Sequence, residues 1–112
     1  MDFQWNGFKY HSNSMTPEAK VKKKVKKKVT KQLDELGCYH FYAFTGGYGR
    51  SGVPDIIACY KGHFIGIECK ANGGKTTALQ DLNITQIREN QGLAIVVNEG
   101  NMDELVKLLE DL

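Results

Sequence analysis

Apolar positions along the chain change spacing from one segment to the next, and the spacing names the elements. Val21, Val25, Val29 and Leu33 recur every four residues, with Leu36 three further on, which predicts one apolar stripe on a helix. Thr16-Pro17-Glu18 supplies its start: a hydroxyl N-cap, a proline at the first helical position and an acid at the positive end of the dipole. Gly37 supplies its end. Tyr39 to Phe44 then reads as a short aromatic strand, and Thr45 to Gly52 as a glycine-rich loop. Asp55–Tyr60 and His63–Cys69 form two strands around a Lys61-Gly62 turn. Thr77 to Asn90 is a second helix, with Leu79, Leu82, Ile84 and Ile87 expected on its buried side and Gly92 beyond its end. Leu93–Asn98 is a continuous apolar run, expected to be a strand buried on both faces. Met102 to Leu112 is a terminal amphipathic helix. The order helix, three strands, helix, strand, helix predicts a small α/β sandwich with a mixed sheet.

Ahead of this lies F-Q-W-N-G-F-K-Y, residues 3–10. Asn6-Gly7 between alternating aromatics predicts a hairpin carrying Phe3, Trp5, Phe8 and Tyr10 on one face. Such a hairpin is marginal alone, so its aromatic face is expected to pack on the domain or on a second subunit. Residues 1–15 are thus set apart as an N-terminal arm, and residues 16–112 as one domain.

Composition changes the picture in one respect. The chain of 112 residues has a net charge of only +2, yet eight lysines and no acid fall between Lys20 and Lys31. The remainder holds seven basic against thirteen acidic residues, so +8 faces −6. A basic element on an acidic body suggests contact with a polyanion. Cys38, Cys59 and Cys69 form no CxxC pair, which argues against zinc and a disulfide framework. With neither a long apolar run nor a signal-peptide pattern, the expectation is an intracellular, cytoplasmic protein without a membrane partner.

The chemistry concentrates in Pro54-Asp55 and Phe64–Thr77. Gly74-Lys75-Thr76 resembles the second half of a phosphate-binding loop, but the first glycine such a loop needs is Cys69 here, so no nucleotide cofactor is expected. The carboxylates fit better. In a symmetric Lys61-Gly62 hairpin, paired residue numbers sum to 123, which makes Asp55 and Glu68 direct cross-strand partners. Gly66 on the same face is expected to leave open space beside them. Two facing carboxylates call for a cation, and Mg²⁺ or Mn²⁺ is the natural one, with the Cys69 backbone carbonyl as a further ligand. Lys70, on the same strand face, could orient water or offset developing charge.

These residues resemble a known signature. Gly52-Val53-Pro54-Asp55, thirteen residues from Asp55 to Glu68, then Glu68-Cys69-Lys70, is similar to the motif of the PD-(D/E)XK nuclease superfamily. Gln80, followed by Gly92-Leu93-Ala94-Ile95-Val96-Val97, resembles the VRR-NUC (virus-type replication-repair nuclease) branch. The resemblance covers residues 16 to about 110. It implies a restriction-endonuclease-like αβββαβ core with a mixed sheet between helices, to which this chain adds a C-terminal helix. It further implies a stand-alone member of viral or mobile-element type, a homodimer that cuts branched DNA such as four-way (Holliday) junctions. Asp55 and Glu68 would hold the metal, Lys70 would be catalytic, Glu18 would lie near the metal and Gln80 would face the site. Lys20, Lys22, Lys23, Lys24, Lys26, Lys27, Lys28 and Lys31, with Arg50 and Lys75, are the candidate DNA contacts. Two alternatives remain: a less selective duplex, flap or end-directed nuclease on the same core, and a non-catalytic DNA-binding module whose carboxylate pair is structural.

Overall fold

A computed structural model describes residues 15–44 and 49–112. The predicted N-terminal hairpin, nearly all of the linker after it and part of the glycine-rich loop lie outside the described residues. The elements run α1 (Pro17–Glu35), β1 (Tyr39–Tyr42), β2 (Ile56–Tyr60), β3 (His63–Cys69), α2 (Ala78–Glu89), β4 (Leu93–Val97) and α3 (Met102–Glu110). The sheet order is β1-β2-β3-β4, with the first two pairings antiparallel and β3–β4 parallel. This is the expected mixed sheet.

Helix α1 begins as its sequence dictates. The Thr16 hydroxyl accepts from the Ala19 amide at 3.1 Å, and Pro17 occupies the first turn. Gly37 follows the helix at φ +71°, the left-handed geometry that glycine adopts without strain. The four-residue stripe is buried as predicted: Val25, Val29 and Leu33 join Ile56, Ala58, Ile65, Ile67, Cys69, Val97, Leu105 and Leu109 in one core. This core lies against one face of the sheet, since Ile56 pairs with Ile67 and Ala58 with Ile65. The helix interior carries like charges, so this burial, not intrinsic propensity, holds α1 together.

The β2–β3 hairpin has the predicted register. Tyr60 pairs with His63 and Ile56 with Ile67, and Lys61 and Gly62 both have positive φ, as a type I′ turn requires. Three expectations are corrected. Strand β1 ends at Tyr42, although the Ala43 amide still donates to the Asp55 carbonyl at 2.9 Å; Phe44 is almost fully exposed. Among the described residues β4 is the last strand of the sheet, and only Val97 of its five residues is fully buried. On α2, Leu79 and Leu82 are about half exposed and Asn83 takes an inward position instead. The reason is polar: the Asn83 amide group donates to the carbonyls of Ser51 at 3.0 Å and Leu79 at 2.8 Å, tying the loop before Asp55 to the helix. Among the described residues no helix is long and apolar enough to cross a membrane.

Candidate active site

Asp55 and Glu68 meet at the open end of the β2–β3 hairpin, opposite its turn. Asp55 precedes β2 by one residue and its register partner by continuation is Glu68. The Cys69 amide donates to Asp55 Oδ2 at 2.8 Å, which fixes this carboxylate on the neighbouring strand. Lys70 directly follows β3, and its amide donates to the Val97 carbonyl at 2.9 Å.

The surroundings of the pair are close-fitting. Gly66 does not leave open space, as its sequence position suggested. A Cβ there would lie 2.8 Å from Pro54 Cγ and 2.9 Å from Ile87 Cδ1, so the proline before Asp55 and helix α2 pack where a side chain would stand. Gly52 serves the same end. It has φ +78°, and an added Cβ would meet the Leu79 backbone at 2.7 Å. The chain entering Pro54-Asp55 is thereby seated on the first turn of α2.

That turn also delivers Gln80. Thr77 and Gln80 form a reciprocal capping box, in which the Thr77 amide donates to Gln80 Oε1 at 2.9 Å and the Gln80 amide to Thr77 Oγ1 at 3.2 Å. With its oxygen held by the cap, the Gln80 side chain presents its NH₂ outward and donates to Glu68 Oε2 at 3.0 Å. The glycines after Lys70 make the turn that leads there: Gly73 has φ +85°, and the Gly74 amide donates to the Ala71 carbonyl at 2.8 Å.

Glu68 is 1% exposed, an unusual burial for a carboxylate. Burial first, and the Asp55 charge second, push its carboxyl up to about 7, against the opposing pull of Lys22 and Lys70. Burial likewise pushes the Cys69 thiol up to about 12, with Asp55 and Glu68 adding to it, so Cys69 is a core thiol rather than a nucleophile.

Among the described residues, three ammonium groups surround the pair. Lys70 Nζ lies 3.5 Å from Glu68 Oε2. Lys22 Nζ lies 3.5 Å from Asp55 Oδ2 and 4.0 Å from Glu68 Oε2, and Lys26 Nζ lies 3.8 Å from Asp55 Oδ1. Two members of the lysine-rich helix therefore turn toward the carboxylates, a placement that sequence reasoning missed. The signal was present: Lys22 and Lys26 are four apart, each directly after a residue of the valine stripe. The other six lysines of α1 are exposed, as are Arg50 and Lys75. Arg50 donates to Gln86 on α2.

Glu18 lies beside the pair without joining it. It borders a cleft of about 350 Å³ with Ala19, Lys22, Lys70, Ala71, Gly74 and Lys75. Among the described residues no three acidic, histidine or cysteine groups cluster as a metal cage. The donors present still suit a small hard cation. Mg²⁺ is held by one or two carboxylate oxygens with water completing its shell, and a divalent charge would favour the ionised form of Glu68 against burial and the Asp55 charge.

Comparison with known proteins agrees with this architecture. A solved structure similar to the chain is that of Hjc from Archaeoglobus fulgidus, a Holliday junction resolvase from an archaeal hyperthermophile. It superposes with a TM-score of 0.53 at 19% sequence identity over 68% of this chain. At this identity the likeness shows the fold alone, an α/β core with a mixed sheet between helices. The match spans 66% of the resolvase, slightly under two thirds of its length. No protein-family model matches the chain, and no curated protein matches it. The likeness therefore speaks for the shared architecture and does not assign the chain to a family.

Proposed function

We propose that the chain is a Mg²⁺- or Mn²⁺-dependent endonuclease that hydrolyses phosphodiester bonds in branched DNA. One observation carries this reading: buried Glu68, the register partner of Asp55, has Lys70 at ion-pair distance and Gln80 at hydrogen-bond distance. A bound divalent cation would supply Lewis acidity at the scissile phosphate. Asp55 and Glu68 would hold it, with the Cys69 carbonyl as a further ligand. Lys70 is close enough to position attacking water and to offset charge that builds on the phosphate. Gln80 fixes the Glu68 carboxylate, and Glu18 borders the same cleft as Lys70. The outer lysines of α1, with Arg50 and Lys75, would hold DNA by its phosphates.

At a finer level, the motif spacing favours the VRR-NUC branch, and the likeness to a Holliday junction resolvase favours four-way junctions. A junction offers two equivalent strands, which a two-fold homodimer would cut symmetrically. One observation favours a rival. Lys22, Lys26 and Lys70 already offset both carboxylates, as expected of a non-catalytic DNA-binding module with a structural ion cluster.

The test is cleavage of a labelled four-way junction beside linear duplex, flap and single strand, in Mg²⁺, Mn²⁺ or EDTA, by wild type and Lys70→Ala. Paired, metal-dependent nicks on the junction that Lys70→Ala abolishes are expected. Cutting of all substrates alike would remove the junction preference and leave a nuclease. Binding without cutting in either metal would favour the rival.

A further inference from the structure

Lys22 differs from its neighbours in touching both carboxylates. Lys26 approaches only Asp55, and Lys70 only Glu68. The Lys22 ammonium is shared, 3.5 Å from Asp55 Oδ2 and 4.0 Å from Glu68 Oε2. A divalent cation held by the pair would take carboxylate oxygens as ligands at roughly 2.0–2.1 Å, and its charge would repel an ammonium group that lies 3.5 Å and 4.0 Å from oxygens of the same two carboxylates. Lys22 has somewhere else to go. Its side chain is 30% exposed and borders the cleft shared with Glu18, Lys70, Gly74 and Lys75. Glu18 is four residues earlier on the same row of α1, the spacing at which an acid and a lysine pair on a helix.

We propose that Lys22 is an internal counter-ion that competes with the divalent cation for the Asp55–Glu68 pair, and that cation entry moves its ammonium into the cleft beside Glu18. In the metal-free protein Lys22 keeps two close carboxylates compatible with a folded site. When displaced, it delivers a positive charge to the cleft wall, where a DNA phosphate would lie. Lys22 is in this sense a positioning residue with two places. The inference rests on reading the carboxylate pair as a metal site.

The experiment is Mn²⁺ binding to the full chain without DNA, followed by calorimetry and by the loss of the free-Mn²⁺ electron paramagnetic resonance signal. Wild type, Lys22→Met, Lys26→Met and Asp55→Asn are compared. Removing a competitor should tighten Mn²⁺ binding about tenfold in Lys22→Met, within the usual range for coupled sites, and less in Lys26→Met. In EDTA, Lys22→Met should melt below wild type, and Mn²⁺ should raise its melting temperature by more than it raises that of wild type. Unchanged or weaker Mn²⁺ binding in Lys22→Met, with wild type still binding and Asp55→Asn not, would overturn the competition and leave the nuclease reading standing. Absence of Mn²⁺ binding in wild type and Lys22→Met alike would overturn both.

Discussion

Lys22 and Lys26 lie one turn apart on α1 and point at Asp55 and Glu68, whereas Lys20, Lys23, Lys24, Lys27, Lys28 and Lys31 on the same helix face solvent. The residue type is the same, and so is the helix. What differs is the row: the inner pair directly follows the valine stripe and is carried toward the sheet by the packing of Val25 and Val29. An identical side chain is thereby a partner of buried charge in one row and a surface charge in the next. Ion pairs with a carboxylate as buried as Glu68 respond strongly to the loss of a partner, while exposed lysines act through long-range, salt-screened attraction. The two rows should therefore fail in different ways when altered.

The largest expected effect is on the inner side. Lys70→Ala should lower single-turnover cleavage by roughly 10²–10³-fold, as losing one charge-stabilising donor commonly does, and leave the salt dependence of DNA binding unchanged. Comparable losses of rate and salt slope would mean that the lysines at the carboxylates and those on the outer row do one job. Next is the stripe that orients both rows. Leu33→Ala removes a fully buried side chain and should cost about 3 kcal/mol in urea unfolding; a loss below about 1 kcal/mol would mean that burial does not hold the helix.

A third prediction follows from Glu68. Its carboxyl is raised from an ordinary 4.5 to about 7, chiefly by burial and then by Asp55. The folded chain therefore holds this proton more tightly than the unfolded chain does. The resulting stabilisation is fully present below about pH 4.5 and lost as pH rises through about 7. At ~1.4 kcal/mol per unit, this group should make the metal-free protein on the order of 2–3 kcal/mol less stable at pH 8 than at pH 5. Urea midpoints of Glu68→Gln should lack that part of the slope. Mn²⁺ binding at pH 6 should release a proton, because the ligand must ionise. The smallest effects belong to the outer row. Neutralising Lys23 or Lys27 should change stability by about 0.5 kcal/mol or less. It should also cut the slope of log affinity against log salt by about 0.9 for each DNA phosphate that the lysine no longer neutralises. An unchanged slope would take that row out of the DNA interface.

Most of the site was legible because it depends on short-range geometry. Lys61-Gly62 sets the hairpin, the hairpin sets the register, and the register places Asp55 opposite Glu68. Gln80 was placed by resemblance, and the capping box gives a physical reason for it. What was missed depends on how whole elements cross. Whether Lys22 and Lys26 face the pair is decided by the orientation of α1 over the sheet, which no local pattern states. Gly66 looked like vacant space because nothing in the sequence says that Pro54 and Ile87 fill it. Leu79 and Leu82 were assigned inward by apolarity, but the inward position goes to Asn83, whose hydrogen bonds to Ser51 and Leu79 only the tertiary arrangement supplies. The apolar run of β4 suggested a strand buried on both faces, yet composition does not reveal that, among the described residues, it is the last strand of the sheet.

The most direct test uses one variant and two readings. Glu68→Gln keeps the shape of the side chain and removes the buried charge. This variant is expected to stop cutting a four-way junction in Mg²⁺ or Mn²⁺, while its metal-free form unfolds at higher urea than wild type at pH 8. That combination is expected where a destabilised group is kept for its chemistry. A variant that still cuts at the wild-type rate, or that loses stability at pH 8 as a broken structural ion cluster would, contradicts the account.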